Sequence, residues 1–378
     1  MRLLPFALLL SCGSTPQGAP DAGCDGGNCG AACDGGSCST TGSAPSISGC
    51  QIFPANHIFN TPIDALPVHP QSAAFLATIG SHHVHLDLGT DTNPASSTYY
   101  GIPWNVVHGN AFAWPAVHFY SADPGLSWDA RAESDCASGA DHQRSSPCSA
   151  ASPVLPLPAT PLVEGGIDTS PSQPYGDHHA LLLDADTCRL WETYHTYPHS
   201  GGGGWDIYGS ATWDLGSNAL RPAGWTSCDA AGFPILPLLL RADEASSGEI
   251  RHALRFTIQS SKIRTSYVWP ARHLTSNGTA SASLPQMGQL FRLKASYPLP
   301  AGAGPQVTAI LNALKLYGMY VADGGSDLFI QGEPSAAWAG ATFTQVQAVP
   351  ASAFEAVDIS AITSRPGFDP DSAAVPPK

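Results

Sequence analysis

Apolar residues fall along this chain in short runs, many of them alternating with polar ones, and Gly or Pro bounds most of them. That pattern predicts strands over Tyr99–Val107, Trp114–Phe119, His179–Asp184, Arg189–His195, Ile250–Ile258, Ser266–Trp269, Gln289–Lys294 and Leu328–Gln331. The run from His179 to His195 reads as a hairpin turning near Asp186 and Thr187. Two segments carry the helical period instead. Pro70–Ile79 places Phe75, Leu76 and Ile79 on one face, and Pro305–Tyr317 places Val307, Ile310, Leu311 and Leu314 at helical spacing before Gly318. Gly and Pro together supply 38 + 34 = 72 of 378 residues, which suits many tight turns. The expected architecture is mainly β, a β-sandwich or jelly roll with two peripheral helices. No repeat of blade length supports a propeller.

The N-terminus changes the picture from fold to location. Residues 1–11 have an early Arg, an apolar run from Leu3 to Leu10 and a small residue at the end, the form of a secretory signal. Leu9-Leu10-Ser11-Cys12 resembles the bacterial lipobox, which implies lipidation of Cys12, and Gly13 rather than Asp implies the outer membrane. Residues 12–49 are rich in Gly, Ser, Ala and Pro and read as a flexible tether. The tether holds Cys24, Cys29, Cys33 and Cys38 without a neighbouring His, so disulfides are favoured over zinc in an oxidising compartment. Residues 50–363 are expected as one β-rich domain and 364–378 as a disordered tail. Within the domain, Cys136–Cys148 and Cys50–Cys188 are the favoured pairs, leaving Cys228 free.

Charge singles out one stretch. The chain carries a net −14, yet residues 221–294 hold seven Arg and two Lys against four acids, 9 − 4 = +5. The stretches Ile250–Phe256, Tyr267–His273 and Arg292–Tyr297 resemble parts of uncharacterised secreted bacterial proteins. That resemblance implies that residues 50–363 form one unit and brings no activity with it.

Alternation through Ile250–Phe256 puts His252 on an apolar face and Arg251 with Arg255 on a charged one. Pro270 ends the next strand, so Arg272 and His273 fall on a loop beyond Tyr267 and Trp269. These arginines could recognise an anionic group, and Tyr267, Trp269 and Trp205 could stack on sugar rings. In the hairpin, Glu192 lies among apolar neighbours, where burial would raise its pKa as a general acid requires. Asp206 or Asp214 could complete a carboxylate pair for glycoside hydrolysis. A lyase would instead use His252 or His273 as base. The bland alternatives are a core histidine at 252 and arginines paired with structural acids.

His82, His85 and Asp87, and His195 with His199, have ligand-like spacing but fit no helical H-E-x-x-H pattern, so no metal or other cofactor is expected. Phosphate-loop and nucleophile-elbow motifs are absent from the sequence, and net charge disfavours nucleic acid. The sequence therefore points to a monomeric, exported, membrane-anchored lipoprotein with a carbohydrate-active domain, hydrolase or lyase, whose partner is a polysaccharide or glycan. The alternative is a non-catalytic glycan-binding or structural envelope lipoprotein.

Overall fold

Several strands are buried on both faces, and that decides the architecture. Ala180–Asp184, Leu254–Ile258 and Leu290–Leu293 have every residue buried. A sandwich strand with one wet face would alternate, whereas strands covered on both sides tolerate continuous burial. A computed structural model describes residues 44–120, 130–166, 177–275 and 278–377. The signal, the lipobox and the four tether cysteines lie outside those residues.

A six-stranded mixed sheet runs in the order Phe354–Ala356, Leu290–Leu293, Met319–Gly324, Leu254–Ile258, Phe329–Gln331, His85–Asp87. Leu254–Ile258 pairs parallel with Met319–Gly324 and antiparallel with Phe329–Gln331. The parallel pair needs a crossover, and helix Pro305–Leu316 lies within it. That helix buries Val307, Ile310, Leu311 and Leu314, each worth about 1.5–3 kcal/mol. It ends because Gly318 takes φ +73°, where a side chain would meet the Phe291 carbonyl oxygen at 2.3 Å.

The second sheet is four-stranded, in the order Gly209–Asp214, Arg189–Tyr194, Ala180–Asp184, Trp104–Val107. The expected hairpin forms its centre. The Asp184 carboxylate accepts the backbone N–H of Asp186 at 3.2 Å and the Thr187 hydroxyl at 2.6 Å, closing the turn. Leu181, Leu183 and Leu190 face the main core, while Ala180, Leu182 and Trp191 face a second one with Val117, Trp205 and Ile207. Alternation is present, but both of its faces are apolar contacts.

The sandwich or jelly roll is thus corrected to a mixed α/β fold with more strand than helix and, among the described residues, five α-helices. The three short helices Ala242–Ser247, Gly340–Val346 and Ser360–Thr363 carry too few apolar residues to show a period. Residues beyond Thr363, expected as a tail, pack on the domain. The Trp269 indole donates to the Ser372 carbonyl at 2.9 Å, and Ala373 is buried.

Cys50–Cys188 and Cys136–Cys148 are bonded, and Cys228 is free and buried, as the spacing favoured. The first bond links residues 138 apart and the second residues 12 apart. Chain-entropy arguments make the longer loop the larger stabiliser. Replacing Cys50 and Cys188 by Ala should cost about 2–5 kcal/mol in urea denaturation, more than the same change at Cys136 and Cys148. Equal or reversed losses would reject that ordering.

Candidate functional site

The basic stretch does not form an open wall, because six of its seven arginines are engaged at home. Arg221 pairs with Asp135 at 2.5 Å, Arg241 with Glu244 at 2.7 Å and Arg251 with Glu249 at 2.7 Å. Arg255 pairs with Asp229 at 2.6 Å, Arg272 with Asp371 at 2.5 Å and Arg292 with Glu355 at 2.7 Å. Arg255 lies on the face expected to be charged and open, yet that face is buried. His252, as the bland reading held, is a buried core histidine: Nε2 meets Glu244 at 2.8 Å and Nδ1 meets the Ala253 carbonyl at 2.8 Å.

The other sequence candidates take separate places. Asp206 holds His199 at 2.7 Å, and Asp214, largely exposed, faces Arg189 at 3.5 Å. Trp205 is buried in the second core, Trp269 packs edge-on against Phe368, and Tyr267 is half-buried on the main core. His273 contacts the Ala230 carbonyl at 3.0 Å, and the backbone N–H of Arg272 donates to Ala231. These two therefore flank the loop that holds Asp229.

Glu192 is fully buried, and burial pushes its carboxyl up to about 7 against the pull of nearby N–H groups, His179 and Arg255. The expected shift is there, but the group is occupied. Its oxygens accept the backbone N–H of Ile235 at 2.8 and 3.0 Å and that of Leu236 at 3.0 Å, holding the short turn Leu236–Leu238. It reaches no cleft.

A cleft of about 330 Å³ opens beside this cluster, where strand ends and loops meet. Its walls include Asp177, Tyr194, Tyr208, Cys228, Asp229 and Asp323. Tyr194 ends its strand and donates to Asp177 Oδ1 at 3.2 Å; burial first, then Asp177, hold its phenol well above the usual range. Tyr208 stands edge-on to Tyr194 at 5.9 Å. Asp323, half-buried near the end of Met319–Gly324, accepts the N–H of Ala230 at 3.1 Å and of Gly324 at 2.7 Å. Burial, with the Asp229 charge, pushes it up to about 7.

Behind Asp177 lie Glu164 and His179. His179 Nδ1 is 2.6 Å from Glu164 Oε2, and Nε2 is 2.8 Å from the Cys228 carbonyl. Burial alone would lower this imidazole, but Glu164 and then Asp177 raise it to about 9. Among the described residues, Glu164, Asp177 and His179 are the one group of three whose ligand atoms cluster as a metal needs. His82 instead approaches Asp327 at 3.3 Å, and His85 stacks on Phe329 at 4.0 Å.

The sequence places His179 at the start of the hairpin, but its local pattern gave no role to His179, Asp177, Asp323 or Glu164. The signal for Asp323 was its place in Val-Ala-Asp-Gly-Gly, an acid at the carboxyl end of a parallel strand, where ligands of open α/β sheets bind. Glu164 has no such mark, being brought in by the backbone bond of its N–H to the His179 carbonyl at 3.0 Å.

If Arg255 is structural, Arg255→Leu leaves Asp229 charged and buried, which should cost about 3–5 kcal/mol by chemical denaturation. An unchanged unfolding midpoint would return Arg255 to the list of ligand-binding groups. Compared with family models, curated proteins and solved structures, the chain matches none, so what the cleft does rests on its own geometry.

Proposed function

We propose that the chain is an exported lipoprotein, anchored through Cys12, whose domain is a carbohydrate-active enzyme cleaving glycosidic bonds in the Asp323 cleft. The signal and lipobox support the location, and two disulfides agree with an oxidising compartment. One observation carries the chemistry. A half-buried carboxyl, Asp323, has its pKa raised to about 7 on the wall of a cleft that also holds exposed Asp177.

A carboxyl group that keeps its proton near neutrality can protonate a leaving oxygen. A second carboxylate in the same cleft can hold and deprotonate the attacking water, the two-carboxylate scheme of glycoside hydrolysis. Asp323 takes the first role and Asp177, supported by Glu164 and His179, the second. Tyr194 and Tyr208 offer an aromatic wall with polar tips, a surface suited to sugar rings. Because six of the seven arginines of 221–294 pair with acids of the chain and the cleft is lined by acids, a neutral glycan fits better than an anionic one.

Asp323→Asn should lower kcat for release of reducing ends from neutral oligosaccharides by about 100-fold or more, with KM little changed. The wild-type rate should fall as pH rises through about 7, where the acid loses its proton. Binding without product from either protein would make the domain a glycan-binding module instead.

Stability gives a separate check. Asp323 has a folded pKa raised above its unfolded value, so its favourable contribution is complete below the unfolded pKa and is lost as pH rises through about 7. Asparagine has no such slope. The melting temperature of Asp323→Asn relative to wild type should therefore be higher at about pH 8 than at about pH 4. A constant difference would mean that Asp323 is not raised. The anchor has its own test: Cys12→Ser should move the protein from the membrane to the soluble fraction, and retention at the membrane would remove the lipid from the proposal.

A further inference from the structure

We propose that Glu164, Asp177 and His179 bind one divalent transition-metal cation, Mn²⁺ or Zn²⁺, at the inner side of the cleft. Their ligand atoms, one from each side chain, lie within 4.8 Å of one another. The decisive contact is on the far side of the imidazole. His179 Nε2 is 2.8 Å from the Cys228 carbonyl oxygen, which can only accept. The Nε2 position therefore carries the hydrogen, and Nδ1 is the nitrogen turned toward the two carboxylates. A ligating histidine is oriented in the same way, by donating its other N–H to a carbonyl or carboxylate.

The rest of the site is held as firmly. His179 is buried, and its backbone carbonyl accepts the N–H of Glu164 at 3.0 Å, which ties two ligands together through the main chain. His178 between the other two takes φ +46°, a left-handed conformation uncommon for histidine. The backbone N–H groups of His195 and Thr196 donate to the carbonyls of Asp177 and His178 at 2.9 and 3.1 Å, fixing that bend. Tyr194 donates to Asp177 Oδ1 and leaves its second oxygen available to a cation.

Charge points the same way. Arg255 forms its ion pair with Asp229, and among the described residues Asp177, Asp323 and Glu192 form no ion pair. The His179 imidazole is paired with Glu164. A divalent ion bound at Nδ1 would displace one proton from His179 and add positive charge where acids are in excess. Two oxygens and one imidazole nitrogen suit Mn²⁺ or Zn²⁺ better than Ca²⁺, which takes oxygen ligands.

Three protein ligands leave room for a water, as in catalytic rather than closed structural sites. The present Nδ1 to Oε2 separation of 2.6 Å is that of a hydrogen bond. Ligands about 2.1 Å from one ion stand roughly 3–3.4 Å apart, so Glu164 must withdraw by several tenths of an ångström. Glu164 is only half-buried and can make that movement.

The site lies in the same cleft as the proposed reaction and deepens that reading: with a cation bound, Asp177 would serve as its ligand, and the cation, rather than Asp177 directly, would hold and acidify the attacking water. Its test needs no substrate, so failure of the sugar reading leaves it standing. The full-length protein, stripped with chelator, is titrated with MnCl₂ and followed by calorimetry and by loss of the free-ion electron paramagnetic signal. Mn²⁺ is the probe because thiolates, including any in the tether, hold it poorly.

Wild type should take up one equivalent with micromolar affinity or better. Asp177→Asn, at an exposed position where folding is not at stake, should weaken uptake by more than about 100-fold, and His179→Gln likewise. No uptake by wild type would mean that His179 and Glu164 are an ion pair only, and undiminished uptake by Asp177→Asn would also overturn the site.

Discussion

The buried pair of Arg255 and Asp229 is the interaction on which the cleft depends. Taking two charges out of water costs several kcal/mol per ion, so such a pair persists only when the remaining donors and acceptors are satisfied. Most are. Arg255 also donates to the Gln331 side chain, which ties two neighbouring strands of the large sheet. Asp229 receives the N–H of Ala231 at 2.8 Å beside the guanidinium. The loop from Thr226 to Phe233 is thereby fixed to the sheet, and Phe233 at its end packs edge-on to Phe59 and Tyr320. Ala230 then delivers its N–H to Asp323, and Cys228 its carbonyl to His179. One ion pair sets both sides of the cleft.

Burial raises the carboxyls on either side of this pair. Glu192 rises to about 7 by burial alone and Asp323 to about 7 by burial with the Asp229 charge, in both cases against the pull of Arg255. Their environments then separate them. Glu192 is enclosed and holds three backbone hydrogen bonds, so its proton has nowhere to go. Asp323 is half-buried on a cleft wall and can exchange its proton with something that enters. A raised pKa marks both residues, and access distinguishes the functional candidate from the structural one.

How much of this the chain displays depends on the distance over which each feature is encoded. The hairpin around Asp184, the helix Pro305–Leu316 and the Cys136–Cys148 bond were legible because turn residues, apolar period and a cysteine spacing of 12 are local; Cys50–Cys188, 138 residues apart, was favoured only as the next pair among the domain's few cysteines. Glu192 was placed among apolar neighbours for the same local reason, since Leu190 and Tyr194 flank it in register. The sandwich was not borne out because alternation describes how side chains divide between two faces, not whether each face is wet. Leu182 and Leu183 point in opposite directions, and both are buried. The arginines misled because their acids are remote: Asp135 is 86 residues from Arg221, and Asp371 is 99 from Arg272. A local excess of +5 says nothing about such partners.

Double-sided burial also explains where the candidate chemistry had to be. A strand covered by a core on each face offers no side chain to a ligand along its length. Only the points where strands begin or end can be polar and open. Asp177 and His179 precede Ala180–Asp184, Tyr194 closes Arg189–Tyr194, and Asp323 lies one residue from the end of Met319–Gly324. Glu192 and Arg255, two of the sequence candidates, sit within strands and are enclosed. In a fold of this kind, the position of an acid relative to its strand end is a better guide to function than the company of charged neighbours in sequence.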